Sequence, residues 1–214
     1  MKKLMSLAIG VGLLSVPALA MAVTLEGHFS GHADNSSGVG GSYVANGTYD
    51  VYMTLNQTQT NPWYPWNAAK EYTAVLSTTI SSYNVFGNLE VVDFGVAAVT
   101  VYEDDATPAN YGNLATFTDG TAILSGGIQN MIGNRVTIFG LPFDVTGVVV
   151  FDGGAGLANL DAQCSEGLVM NDFIDFTFAT NPPGFEEAYD AEWKCPDSTG
   201  LDATTWGRVK DLYR

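Results

Sequence analysis

Residues 47–55 read "GTYDVYMTL". Tyr49, Val51, Met53 and Leu55 alternate with Asp50, Tyr52 and Thr54. A period of two sends successive side chains to opposite faces of an extended strand, one face apolar and the other polar. The stretch "EYTAVLSTTI" at 71–80 repeats the pattern with Tyr72, Ala74, Leu76 and Thr78. "NLEVVDFGVAAVTVY" at 88–102 reads as a longer strand in which Gly95 marks a bulge or bend. "TAILSGGI", "NRVTIF", "DVTGVVVF" and "DFIDFTFA" continue the series to residue 179. Gly, Asn, Asp or Pro closes each run, as turns require. Long helical periodicity is absent from this region. The expectation is one all-β domain over residues 23–195, an antiparallel β-sandwich of jelly-roll type or a small barrel.

Residues 1–22 have the form of an export leader. Lys2 and Lys3 precede an apolar run from Leu4 to Val16, and "PALAMA" offers small-residue cleavage sites. The run is too short to span a bilayer comfortably. The protein is therefore expected in the periplasm, at the cell surface or outside the cell. Without Lys2 and Lys3, six basic and 23 acidic side chains remain, a formal charge of −17. Such a surface repels polyphosphate and anionic lipid, so nucleic acid is excluded as a partner. A transmembrane barrel is disfavoured because the last thirty-five residues are turn-rich and end in a basic tail. Cys164 and Cys195 are the only cysteines, and in an exported chain they are expected to form a disulfide closing the C-terminal segment.

Few residues offer covalent chemistry. His28 and His32 are the only histidines. Four residues of strand separate them by roughly 13 Å, too far to share a metal ion. "FDGGAG" at 151–156 lacks the third glycine and the helix of a dinucleotide loop and reads as a tight turn. Arg135 is the one cation between Lys70 and Lys194 and is expected to pair with a carboxylate across a sheet. Asp104 and Asp105, in the polar loop "EDDATPANYGN", are candidate calcium ligands, and Glu186, Glu187, Asp190 and Glu192 form a second acidic group. "NPWYPW" at 61–66 concentrates Trp63, Tyr64 and Trp66 between prolines that fix φ and remove donors. Two roles are open to these rings: to cap one end of the fold, or to face outward and stack on sugars.

"NYGNLATFTDGTAILSG", residues 110–126, resembles a stretch of exported bacterial β proteins of the PEP-CTERM type. Phe117, Thr118, Asp119, Gly120, Thr121, Leu124, Ser125 and Gly126 carry the match, and Asp-Gly between alternating runs is a hairpin signal. The resemblance implies a surface or matrix protein without known catalysis. The Pro-Glu-Pro motif and membrane span of that class are missing. Residues 196–214 are instead read as a C-terminal tail. "LDATTWGRVKDLYR" has the pattern of a short amphipathic helix and is similar to endings of other secreted bacterial proteins. If the ending is a sorting or attachment tag, Trp206, Arg208 and Lys210 are its contact residues.

The functional expectation is a non-enzymatic exported protein with a structural or adhesive role. The alternatives are a carbohydrate-binding module, with calcium as a compatible cofactor, and a glycan-active hydrolase using two carboxylates.

Overall fold

A computed structural model describes residues 25–36, 43–56, 62–105, 107–139, 142–175 and 181–196. Ten strands form within them: β1 (Glu26–Asn35), β2 (Thr48–Leu55), β3 (Glu71–Thr79), β4 (Ser82–Phe86), β5 (Leu89–Asp93), β6 (Ala97–Asp104), β7 (Thr121–Val136), β8 (Phe143–Gly153), β9 (Leu168–Asp175) and β10 (Glu187–Lys194). Every strand-to-strand ladder is antiparallel. Around the ring the order is β1–β2–β3–β6–β7–β8–β9–β10, and β10 pairs with β1 to close it. The fold is thus an eight-stranded up-and-down barrel. β4 and β5 form an extra hairpin that leaves the ring after β3 and lies along the far half of β7.

This corrects the sandwich reading and bears out the small barrel. Alternation tells each strand which face is inside, but a sandwich and a barrel share that alternation. The choice rests on whether the first and last strands pair. Here Glu26–Ala33 runs against Lys194–Glu187 in continuous register. Closure removes the open edges a sandwich would have to protect.

The lumen is filled, as expected of a barrel this narrow. Phe29, Tyr49, Met53, Tyr72, Leu76, Leu124, Phe143 and Trp193 are all buried and point inward. The outer wall carries His28, Ser30, His32 and Asp34 from β1, and Ala188, Asp190, Glu192 and Lys194 from β10. On these two strands the outer face is polar and the inner face mostly apolar. Gly126 shows how tightly the barrel bends, because a Cβ there would lie 1.9 Å from the Val150 carbonyl oxygen.

Trp63, Tyr64 and Trp66 plug one end. Trp63 and Tyr64 are 1% and 5% exposed, and Trp66 is partly buried against the core. Trp63 stacks near Trp193 at 6.4 Å and meets Trp66 at 5.0 Å and Phe151 at 5.8 Å. Gly27 makes room for it, since a Cβ at Gly27 would sit 2.4 Å from the indole nitrogen. A buried aromatic ring hides roughly 150–250 Å². At about 25 cal/mol per Å² that contributes roughly 4–6 kcal/mol before ordering entropy is charged against it.

The disulfide joins Cys164 to Cys195 with Cα atoms 4.8 Å apart. It ties the β8–β9 connection to the end of β10. In that connection Asp161 N donates to the Trp63 carbonyl at 3.2 Å, and just past β10 Cys195 N donates to the Leu25 carbonyl at 2.9 Å.

Three segments differ from the sequence expectation. The stretch 88–102 divides at Gly95 (φ 66°) into β5 and β6, which lie at different places in the sheet. "TAILSGGI" and "NRVTIF" belong largely to one strand, β7, with a register shift between Gln129 and Ile132. Asp119-Gly120 is not a two-residue hairpin. It follows a short 3-10 turn, Leu114–Phe117, that precedes β7. The tail with Trp206, Arg208 and Lys210, and its helix, lie outside the described residues.

Candidate functional site on the outer wall

Strand register builds a groove of about 550 Å³ on the outer face of β2, β1, β10 and β9. One cross-strand row runs Thr54–Ser30–Asp190–Phe173, and the next runs Tyr52–His32–Ala188–Asp175. Each row has one small side chain near its centre, Ser30 in the first and Ala188 in the second. Tyr111, beside His32, and Phe173 on β9 line it, together with Tyr189. Phe173 is 46% exposed.

A second aromatic cluster supports this wall from outside the lumen. The connection between β6 and β7 folds back over β2, and Tyr111 donates its hydroxyl to the Tyr52 carbonyl at 3.1 Å. Tyr111 lies 4.9 Å from Phe117, 5.3 Å from Phe185 and 4.8 Å from His32, measured between ring centres. Phe117 is buried, and its carbonyl accepts from the Thr73 hydroxyl at 2.8 Å. Part of the 110–126 segment therefore braces the groove wall.

The charge state of the groove follows from burial. Burial pushes the Tyr111 phenol up to about 12. Tyr52 is raised by burial and then by the charges of Asp50 and Asp34. His32 is lowered by burial, against hydrogen bonds from Asn181 and the Glu187 backbone. Its Nδ1 lies 3.2 Å from Asn181 Oδ1, which places the ring proton there in the neutral imidazole. At neutral pH the Tyr111, Tyr52 and His32 rings are thus uncharged, and beside them lie the Ser30 and Thr54 hydroxyls and the side chains of Asp175 and Asp190. That set accepts hydrogen bonds, packs against apolar ring faces and repels anions.

The expected site residues are scattered. Trp63 and Tyr64 turn their rings into the barrel end and offer no open face. Asp105 Oδ2 is 2.5 Å from Lys70 Nζ, and Asp104 Oδ2 accepts from Thr107 N at 3.1 Å. These two side chains are engaged in a loop clasp. Strand alternation splits the second acidic group: Glu187 faces the lumen, whereas Asp190 and Glu192 face out. Glu187 accepts from Tyr49 Oη at 2.8 Å, Tyr43 Oη at 3.1 Å and Asn35 Nδ2 at 3.3 Å. Arg135 does pair with a carboxylate across the sheet, placing Nε 2.8 Å from Glu90 Oε2 and its guanidinium 4.7 Å above the Phe143 ring.

Sequence reasoning missed two features. Asp172 is 1% exposed on the inner face of β9, with burial pushing its carboxyl up to about 8. Tyr189 Oη donates to it at 2.7 Å and Glu192 N at 3.1 Å. His28 also finds two carboxylates, Glu26 two residues away and Glu192 directly opposite on β10. A search for paired histidines does not reveal that set. Alternation within β1 would have put Glu26 and His28 on one face, but only the β10 register brings Glu192 to them.

In comparisons with protein-family models, curated proteins and solved structures, nothing matches this chain.

Proposed function

We propose that this is an exported, non-enzymatic barrel protein that acts through its outer wall, in a structural or adhesive role, by holding a neutral glycan in the groove between Tyr111 and Phe173. The observation that carries this reading is the two-row floor, on which hydroxyl and carboxylate acceptors lie between aromatic groups. Sugars combine apolar ring faces with hydroxyl donors, so this pairing complements them. A volume near 550 Å³ falls within the range of small-ligand sites. The export leader and the resemblance of residues 110–126 to surface proteins support an extracellular or cell-surface setting.

The hydrolase alternative has less support. A glycosidase acid needs a carboxyl with a raised pKa at the cleft. Asp172, raised to about 8, faces the lumen and not the groove.

A glycan array tests the proposal. The protein should retain a defined set of neutral or amino sugars, and Phe173→Ala should weaken retention roughly tenfold, the loss of one stacking contact of about 1–1.5 kcal/mol. Absence of retention above background, or equal retention by Phe173→Ala, would reject it. Release of reducing ends from a retained glycan would favour the hydrolase instead.

A further inference from the structure

We propose that Glu26, His28 and Glu192 form a zinc-class metal site on the barrel wall. The three side chains offer one ligand atom each, all within 4.8 Å of one another, and they are the one such set of three among the described residues. His28 Nε2 lies 3.5 Å from Glu26 Oε1 and 3.4 Å from Glu192 Oε1. Both distances exceed the 2.7–2.9 Å of a charge-assisted hydrogen bond. These two spacings are close to the edge of a tetrahedron about zinc, roughly 3.3–3.4 Å for metal–ligand bonds near 2.0–2.1 Å, and the ligand atoms of the two carboxylates lie within 4.8 Å of each other.

The backbone fixes this arrangement. Glu26 and His28 are two apart on β1 and share a face, and the register sets Glu192 opposite His28. Lys194 Nζ holds the other oxygen of Glu192, Oε2, at 2.9 Å, orienting that carboxylate while its Oε1 stays turned toward His28. The side chains are partly exposed, so an ion reaches them without opening the barrel, and solvent or a ligand can complete its coordination. One imidazole with two carboxylates suits zinc or a neighbouring transition metal. Calcium takes six to eight oxygens and gains nothing from the imidazole. The site stands apart from the proposed glycan role, although the His28–Glu192 pair is the next outward pair after Ser30–Asp190.

Titration calorimetry of the exported protein with zinc chloride, in a non-chelating buffer, is the direct experiment. A single saturable site is expected, weakened at least tenfold by His28→Asn and by Glu192→Gln, with millimolar calcium failing to displace the metal. Proton NMR adds a second readout, because the chain has only two histidines. Zinc should move the ring signals of His28 and leave those of His32 in place. Absence of a saturable site, undiminished affinity in folded His28→Asn, displacement by calcium, or unmoved His28 signals would each overturn the proposal.

Discussion

Asp172 holds a carboxyl whose pKa lies far above its ordinary range. Its carboxyl is buried on the inner face of β9 and raised to about 8, while an unfolded chain would release the proton near 3.8. Between those values the native state holds a proton that the unfolded state has lost, so stability falls as pH rises through that window. The full cost is present above about pH 8, and four units bound it at on the order of 5 kcal/mol. Asp172→Asn keeps the shape and an acceptor for Tyr189 and removes the titration. The variant should melt higher than the parent at about pH 9, with the advantage shrinking as pH falls toward 4. Calorimetric melts across that range decide it, and parallel pH profiles for the two proteins would refute the assignment.

Among the elements, the plug and the disulfide act as one unit. The chain crosses the barrel end at Pro62–Trp66, and the β8–β9 connection grips Trp63 through Asp161 N. The Cys164–Cys195 bond then fixes that connection to the end of β10. It closes a loop with a sequence separation of 31, for which the chain-entropy argument gives about 3–4 kcal/mol. Replacing both cysteines by alanine should lower unfolding free energy by about that amount in urea melts. The loss should be accompanied by easier quenching of tryptophan emission, because Trp63 and Trp193 lie under the tie. A double variant of parental stability would show that the plug holds without the bond. The β4–β5 hairpin belongs to neither unit. It extends the sheet along β7, and Phe86 at its tip is 65% exposed.

At the scale of the whole molecule, β1 and β10 carry polar and charged side chains on the outer wall while large rings such as Phe29 and Trp193 fill the lumen. No helix among the described residues is long and apolar enough to cross a membrane. With a formal charge of −15 over the full chain, the acidic wall repels itself. Raising salt from about 20 mM to about 500 mM shortens the Debye length from roughly 20 Å to a few ångströms. The melting temperature should rise with it, and a fall would mean that surface ion pairs such as Lys70–Asp105 outweigh the repulsion. What was legible in the chain itself was local. Alternation at Tyr49–Leu55 and Tyr72–Thr78 set their inward faces, two cysteines in a chain read as exported implied their bond, and two prolines kept 61–66 out of any central strand. Glu187–Lys194 alternates too, with Tyr189, Ala191 and Trp193 inward and Asp190, Glu192 and Lys194 outward, but it does not read as a strand in the sequence because it lies in a turn-rich stretch and Glu187 breaks the apolar face. Tertiary structure alone decided closure, and with it the groove and the His28 set. Those features join residues far apart in the chain, such as Ser30 to Asp190. A side chain's face depends on its immediate neighbours along the backbone, whereas which strands meet depends on how the entire lumen packs.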